Sequence, residues 1–70
     1  MPNGEELDEA LASLRQAEAL LPDSPDAPYA AATIHLRQGD LPAARDVALR
    51  TLGVAPDYHP ARRLLAELGP

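Results

Sequence analysis

The sequence lacks cysteine, lysine, tryptophan and phenylalanine, and its 70 residues leave room for one small domain. Without cysteine, the chain has no disulfide framework and no thiolate metal site. A net charge of −5 argues against binding to nucleic acid, because such binding needs a basic face. The longest apolar runs are only a few residues, so we expect no segment that spans a membrane.

Basic residues are also missing from the start of the chain, where a secretory signal would need them. Residues 1–9 are acidic instead, so we expect no signal peptide and a cytoplasmic location. The four acids of this segment lack the spaced oxygens and the glycine of a calcium loop. Their position fits the first turns of a helix, where the helix dipole favours negative charge.

Alanine and leucine dominate what is present, with 14 alanines and 12 leucines. Both are strong helix formers, whereas the residue types that favour strands are scarce. The aromatic residues are Tyr29 and Tyr58, and the β-branched aliphatic residues are Ile34, Val47 and Val54. The composition therefore predicts an all-α domain.

The prolines and glycines divide the chain into four predicted helices, over residues 5–21, 27–38, 41–53 and 58–68. Pro22 ends the first helix, and Gly39 supplies the left-handed residue after the second. Each later helix follows an aspartate that suits the N-cap position, with a proline in its first turn. These predicted caps are Asp26, Asp40 and Asp57.

Apolar residues recur at steps of three and four, which is the period of one helical face. In the third helix, the residues expected to point inward are Leu41, Ala44, Ala48 and Leu52. In the fourth helix, they are Ala61, Leu64, Leu65 and Leu68.

The chain also repeats itself with a period of 34 residues. The matching pairs are Leu7 with Leu41, Ala10 with Ala44, Pro22 with Pro56, Asp23 with Asp57, Ala27 with Ala61 and Ala32 with Ala66. They lie at two helix starts, two helix stops and two positions of tight packing. A period of 34 residues is typical of one class of helical repeat.

Residues 25–58 resemble one complete unit of the tetratricopeptide repeat. In that family a small residue, a glycine followed by a polar residue, a second small residue and a closing proline mark each unit. Here Ala32, Gly39-Asp40, Ala44 and Pro56 fit these roles. Residues 1–24 resemble the second helix of a preceding unit, and residues 59–70 resemble the first helix of a following one.

The resemblance implies four antiparallel helices arranged as helical hairpins, in a short right-handed α-solenoid that forms one domain over residues 1–70. Three positions depart from the family's pattern, where Pro28, His35 and Ala48 replace larger aromatic residues. These replacements reduce the side-chain volume that is available to fill the core. A generic four-helix bundle is the alternative architecture.

The resemblance also implies a protein–protein interaction scaffold, because the first helices of this family line a concave groove that holds extended peptides. The residues carried onto that groove are Tyr29, Thr33, Leu36, Arg37, Arg63 and Glu67. Arginine pairs bidentately with carboxylates, and tyrosine gives contact area at low entropic cost. The alternative is a solvated helix face on which Arg37 complements the helix dipole.

Catalytic and metal chemistry have little support in the residue pattern. We expect His35 to be buried and hydrogen-bonded against the third helix, and His59 to lie in the first turn of the fourth. Neither has a second imidazole or a carboxylate at ligand spacing, and no serine has a histidine within local reach. We therefore expect no enzyme, no metal and no cofactor; a His-dependent metal-binding or enzymatic domain is a remote alternative.

The two ends of the chain carry more leucine than four helices can cover. Solenoid repeats bury a continuous core only by stacking, and stable arrays usually need about three units. We expect the open ends to self-associate through Leu64, Leu65 and Leu68. A structural oligomerisation module, or a truncated piece of a longer repeat array, is the alternative.

Overall fold

The computed structural model describes residues 4–69, which form four α-helices and no β-strand. The helices are α1 (Gly4–Leu20), α2 (Asp26–Arg37), α3 (Leu41–Val54) and α4 (His59–Leu68). Each helix end lies within one residue of its position predicted from the sequence. The all-α class is thus confirmed, while residues 1–3 and 70 of the predicted domain lie outside the described residues.

The helices pack in chain order, with α2 against both α1 and α3 and with α4 against α3. Within residues 4–69 no extensive packing joins α1 to α4, a contact that a closed four-helix bundle needs. The molecule is a slab measuring 32 × 30 × 16 Å. This arrangement is a stack of helical hairpins and not a bundle around a central axis.

The core is built mostly from small side chains, so the helices approach one another closely. Its hydrophobic members are Ala31, Ala32, Ala44, Val47, Ala48, Ala61 and Leu64. Among the described residues, Leu64 is the largest of these, at 5% exposure. Alanines at crossing points thus define the packing, and Leu64 supplies much of the apolar volume that α4 brings to it.

The inward face of α3 differs in part from its prediction. Ala44 and Ala48 are buried as expected, but Leu41 is 50% exposed, so the prediction that Leu41 points inward was wrong. Val47 and Thr51 are buried in its place, and the Thr51 hydroxyl donates to the Val47 carbonyl at 2.9 Å. The stripe facing α2 therefore follows positions 44, 47, 48 and 51, while Leu52 is half-buried at its margin.

Only one of the three predicted N-caps is observed. Asp40 accepts a hydrogen bond from the Ala43 amide at 3.3 Å and caps α3. The N-cap residues of α2 and α4 are Pro25 and Tyr58, which make no side-chain cap hydrogen bond. The prediction failed because α2 already includes Asp26 in its first turn, and because Asp57 lies one residue before the cap, within the turn.

Two glycines provide a matched test of the backbone. Gly39 follows α2 with φ +77°, as predicted, whereas Gly53 lies inside α3, and a Cβ at either position would meet open space. We expect Gly39→Ala to destabilise the fold by about 1–2 kcal/mol, because an L-residue is strained in the left-handed region. Gly53→Ala should stabilise it by about 0.5–1 kcal/mol, because alanine is the better helix former. Urea unfolding of both variants measures the difference, and equal midpoints would contradict the assignment of the turn.

Candidate functional site

The residues that the sequence analysis assigned to a peptide groove lie on α2 and α4. This α2–α4 surface comprises Tyr29, Thr33, Leu36, Arg37, Arg63 and Glu67. The 34-residue period relates Tyr29 to Arg63 and Thr33 to Glu67, so the two helices present the same register positions. The leucine, both arginines and the glutamate are exposed, whereas Tyr29 and Thr33 are half-buried.

Two of the proposed groove residues have partners within the chain. The Thr33 hydroxyl donates a hydrogen bond to the Ala30 carbonyl at 2.7 Å. Its proton is therefore used within α2, but its oxygen can still accept a hydrogen bond from a ligand. Tyr29 packs against the core and meets Tyr58, with the ring centroids 5.6 Å apart at an interplanar angle of 64°. This edge-to-face pair joins the start of α2 to the N-cap of α4.

The contact that Tyr58 makes with Tyr29 of this surface was not predicted from the sequence. The Tyr58 hydroxyl donates to the Asp26 carboxylate at 3.1 Å, which ties the two helix starts together a second time. Loss of solvent raises the pKa of Tyr58 above its ordinary value, and the hydrogen bond to Asp26 raises it further. The phenol therefore remains a protonated donor throughout the neutral range.

Comparison with known proteins supports the helical-repeat fold. The family model described as Tetratricopeptide repeat matches residues 5–68, which is nearly the whole chain. The chain belongs to the tetratricopeptide repeat family. No curated protein and no solved structure gives a significant match. This family is a generally non-enzymatic class of protein-interaction modules.

The leucines expected to mediate self-association are not equally available in this tetratricopeptide repeat. Leu64 is a core residue at 5% exposure, so its side chain is already enclosed by its own chain. Leu65 and Leu68 are half-buried and pack against the same core. The most exposed leucines lie at the opposite end, where Leu20 is 81% and Leu21 is 65% exposed.

His35 differs from its expected environment. It is half-buried, and its Nδ1 atom is buried without a hydrogen-bond partner among residues 4–69, so the prediction of a hydrogen-bonded imidazole was wrong for this atom. The residue lines a cavity of about 90 Å³ between α1, α2 and α3. Glu18 and Arg50 line the same cavity and form an ion pair at 2.9 Å, so both of these charges already have a partner.

His59 and the carboxylate side chains are the remaining candidates for metal chemistry. His59 is exposed at the start of α4. Over residues 4–69 no group of three or more histidine and carboxylate side chains is placed to hold a metal ion. In the same part of the chain, no helix has both the length and the apolar character needed to cross a bilayer.

Proposed function

We propose that this tetratricopeptide repeat is a non-enzymatic scaffold that binds an extended peptide or protein segment along the α2–α4 surface. The observation that carries the proposal is the repeated register of these positions on α2 and α4, within a chain whose family consists of protein-interaction modules. An extended segment lying across α2 and α4 would contact equivalent positions on each helix. The surface is open for such contact because four of its six side chains are exposed.

The side chains of this surface favour a segment that carries both negative charge and an apolar residue. Arg37 near the end of α2 and Arg63 in α4 supply two exposed guanidinium groups for carboxylates. Leu36, at 37% exposure, offers apolar area beside Arg37. Tyr29 packs against Tyr58, whose hydroxyl donates to Asp26, so the Tyr29 ring can contact a peptide with little further loss of side-chain entropy.

Peptides selected from a random library for binding to the chain provide the test. We expect Arg37→Ala to weaken the selected peptides by about tenfold, because a charge-assisted hydrogen bond contributes about 1.5–3 kcal/mol. Arg15→Ala is the matched control, since Arg15 is also an exposed arginine but lies on α1. Isothermal titration calorimetry at two salt concentrations measures both variants, and the effect of Arg37 should shrink at high salt.

Tyr29→Ala is a poor test by itself, because it also removes the ring contact with Tyr58. Leu36→Ala is better suited, since the side chain of Leu36 is on the exposed side of α2. If peptides bind with unchanged affinity after both Leu36→Ala and Arg37→Ala, the α2–α4 surface is not the binding site.

Self-association is a second proposed role, favoured by the exposure of Leu20 and Leu21 at the end of α1. Leu65 and Leu68 would contribute from the other end, with Leu64 supporting them from the core. Leucines this exposed form an apolar patch that association would cover. Sedimentation across a wide concentration range tests this role, and a chain that remains monomeric throughout would exclude it.

A further inference from the structure

An apolar groove of about 370 Å³ lies between the C-terminal half of α1 and the N-terminal half of α2. The apolar residues that line this α1–α2 groove are Leu14, Ala17, Leu21, Ala27 and Ala30, and the polar residues Ser24 and Asp26 line it as well. They are separate from the α2–α4 surface, with which they share no residue. The exposed side chain of Leu21 lies at the groove, and Leu20 precedes it in the chain.

The 34-residue repeat indicates which kind of helix would cover this groove. One period further along the chain, Leu14, Ala17, Ala27 and Ala30 correspond to Ala48, Thr51, Ala61 and Leu64. All four of these equivalents are buried, at 5% exposure or less. Ala48 and Leu64 form one core cluster with Ala31 and Ala32 of α2. The α1–α2 groove is therefore the repeat equivalent of the surface that α2 covers. A helix that occupies the same place in the repeat as α2, here called a helix of the α2 type, would fit this groove.

The helix of the α2 type that the chain itself offers is α4, which lies one period after α2. Ala32 of α2 is fully buried, whereas its equivalent in α4, Ala66, is exposed. Ala31 is buried, whereas its equivalent Leu65 is only half-buried. Helix α4 thus presents packing positions that its own chain does not cover.

A second groove, of about 270 Å³, lies between α3 and α4 and includes Leu41 and Leu68. One period earlier, Leu41 corresponds to Leu7 and Leu68 to Ile34. Leu41 is 50% exposed whereas Leu7 is half-buried, and Leu68 is half-buried like Ile34. Helix α3 packs on α2, and α4 is the equivalent of α2 one period later. The equivalent partner of α4 is therefore a helix that occupies the same place in the repeat as α3. Helix α1 is one period before α3 and is therefore that helix.

The charge distribution distinguishes between the ways in which two copies could meet. Residues 4–26 carry seven acids and one arginine, for a net charge of −6, whereas residues 27–69 carry four acids and five arginines, for a net charge of +1. Two α1–α2 grooves facing each other would bring like charges together. A contact between this groove and the α4 end of a second copy avoids this repulsion, and α4 contributes Arg62 as an exposed cation.

We propose that the α1–α2 groove binds α4 of a second copy, so that copies join head to tail and continue the helical stack. The inference rests on the proposed self-association and is independent of peptide binding. The two surfaces that meet are different, so the contact is heterologous and each added copy leaves a new groove open. The assembly grows with concentration and does not stop at a dimer.

Two variants separate the two sides of this contact. Ala30→Glu fills the groove and places a carboxylate in it, and Ala66→Arg blocks the exposed side of α4. Each is expected to weaken self-association by at least about tenfold, because an unpaired charge would be buried in the contact. Ala12→Glu and Ala19→Arg are the matched controls, because both alanines are exposed on α1, outside the groove.

Sedimentation velocity of the two variants, alone and mixed, is the decisive experiment. We expect each variant alone to be monomeric, the controls to associate like the unchanged chain, and the equimolar mixture to form a dimer and nothing larger. The mixture retains one intact groove and one intact α4, so its dimer also shows that both variants are folded. A monomeric unchanged chain would overturn self-association as a whole. An unchanged chain that associates, with an Ala66→Arg variant that still dimerises, would overturn the head-to-tail contact alone.

Discussion

Leu64→Ala should lower the free energy of unfolding by about 2–5 kcal/mol. Leu64 is 5% exposed and brings α4 into the core cluster formed by Ala31, Ala32, Val47 and Ala48. Truncating the Leu64 side chain leaves a cavity that the surrounding alanines cannot fill, because their side chains end at Cβ and cannot change rotamer. A chain of this length has a total stability of only about 4–10 kcal/mol, so a large part of it should be lost.

Urea unfolding followed by circular dichroism measures this effect. Leu49→Ala is the matched control, since Leu49 is 53% exposed on α3 and its truncation should change stability by less than about 1 kcal/mol. Equal unfolding midpoints for Leu64→Ala and Leu49→Ala would show that α4 does not depend on the core described above.

Ala32→Leu should destabilise the fold by about 1–3 kcal/mol, or by more if the helices cannot separate. Ala32 is fully buried where α2 packs against its neighbours, so any larger side chain must displace a helix. Intrinsic helix propensity cannot account for such a loss, because leucine is nearly as good a helix former as alanine. The loss would come from overpacking at the crossing point.

The repeat itself supplies the control for this substitution. Ala66 occupies the equivalent position in α4 but is exposed, so Ala66→Leu should change the unfolding midpoint little, by about 0.5 kcal/mol or less. The comparison is made at low protein concentration, where copies do not associate. If both leucine variants lose the same stability, burial is not what distinguishes the two positions.

Much of this fold could be predicted from local signals in the sequence. Prolines and glycines terminate helices for steric reasons that do not depend on the rest of the fold, so the predicted helix ends were close to those observed. Gly39 has the expected positive φ for the same reason. The 34-residue period also pointed to the family, because it pairs Ala32 with Ala66 and Pro22 with Pro56.

Features that depend on contacts between helices were harder to predict. The spacing of positions 44, 47, 48 and 51 is compatible with one buried stripe, but helical spacing also allows Leu41, and only the packing of α2 against α3 distinguishes the two sets. The contact between Tyr29 and Tyr58 joins residues 29 positions apart, and no local pattern specifies it. The missing partner of His35 Nδ1 likewise depends on side chains contributed by neighbouring helices.

The apolar residues of the α1–α2 groove differ in burial from their equivalents in the 34-residue repeat. The sequence alone relates Ala27 to Ala61 and Ala30 to Leu64 without indicating which member of each pair is covered. In the structure Ala61 and Leu64 are buried, whereas Ala27 and Ala30 line an open groove. Exposure therefore separates equivalent positions that sequence similarity treats alike.

The central functional claim is that the α2–α4 surface binds an extended segment. Amide chemical shifts of the labelled chain, recorded during titration with a library-selected peptide and with its scrambled control, test it most directly. We expect the largest shifts at Leu36, Arg37, Arg63 and Glu67, and no shifts with the scrambled peptide. Large shifts confined to α1 and α3, with those four residues unchanged, would contradict it.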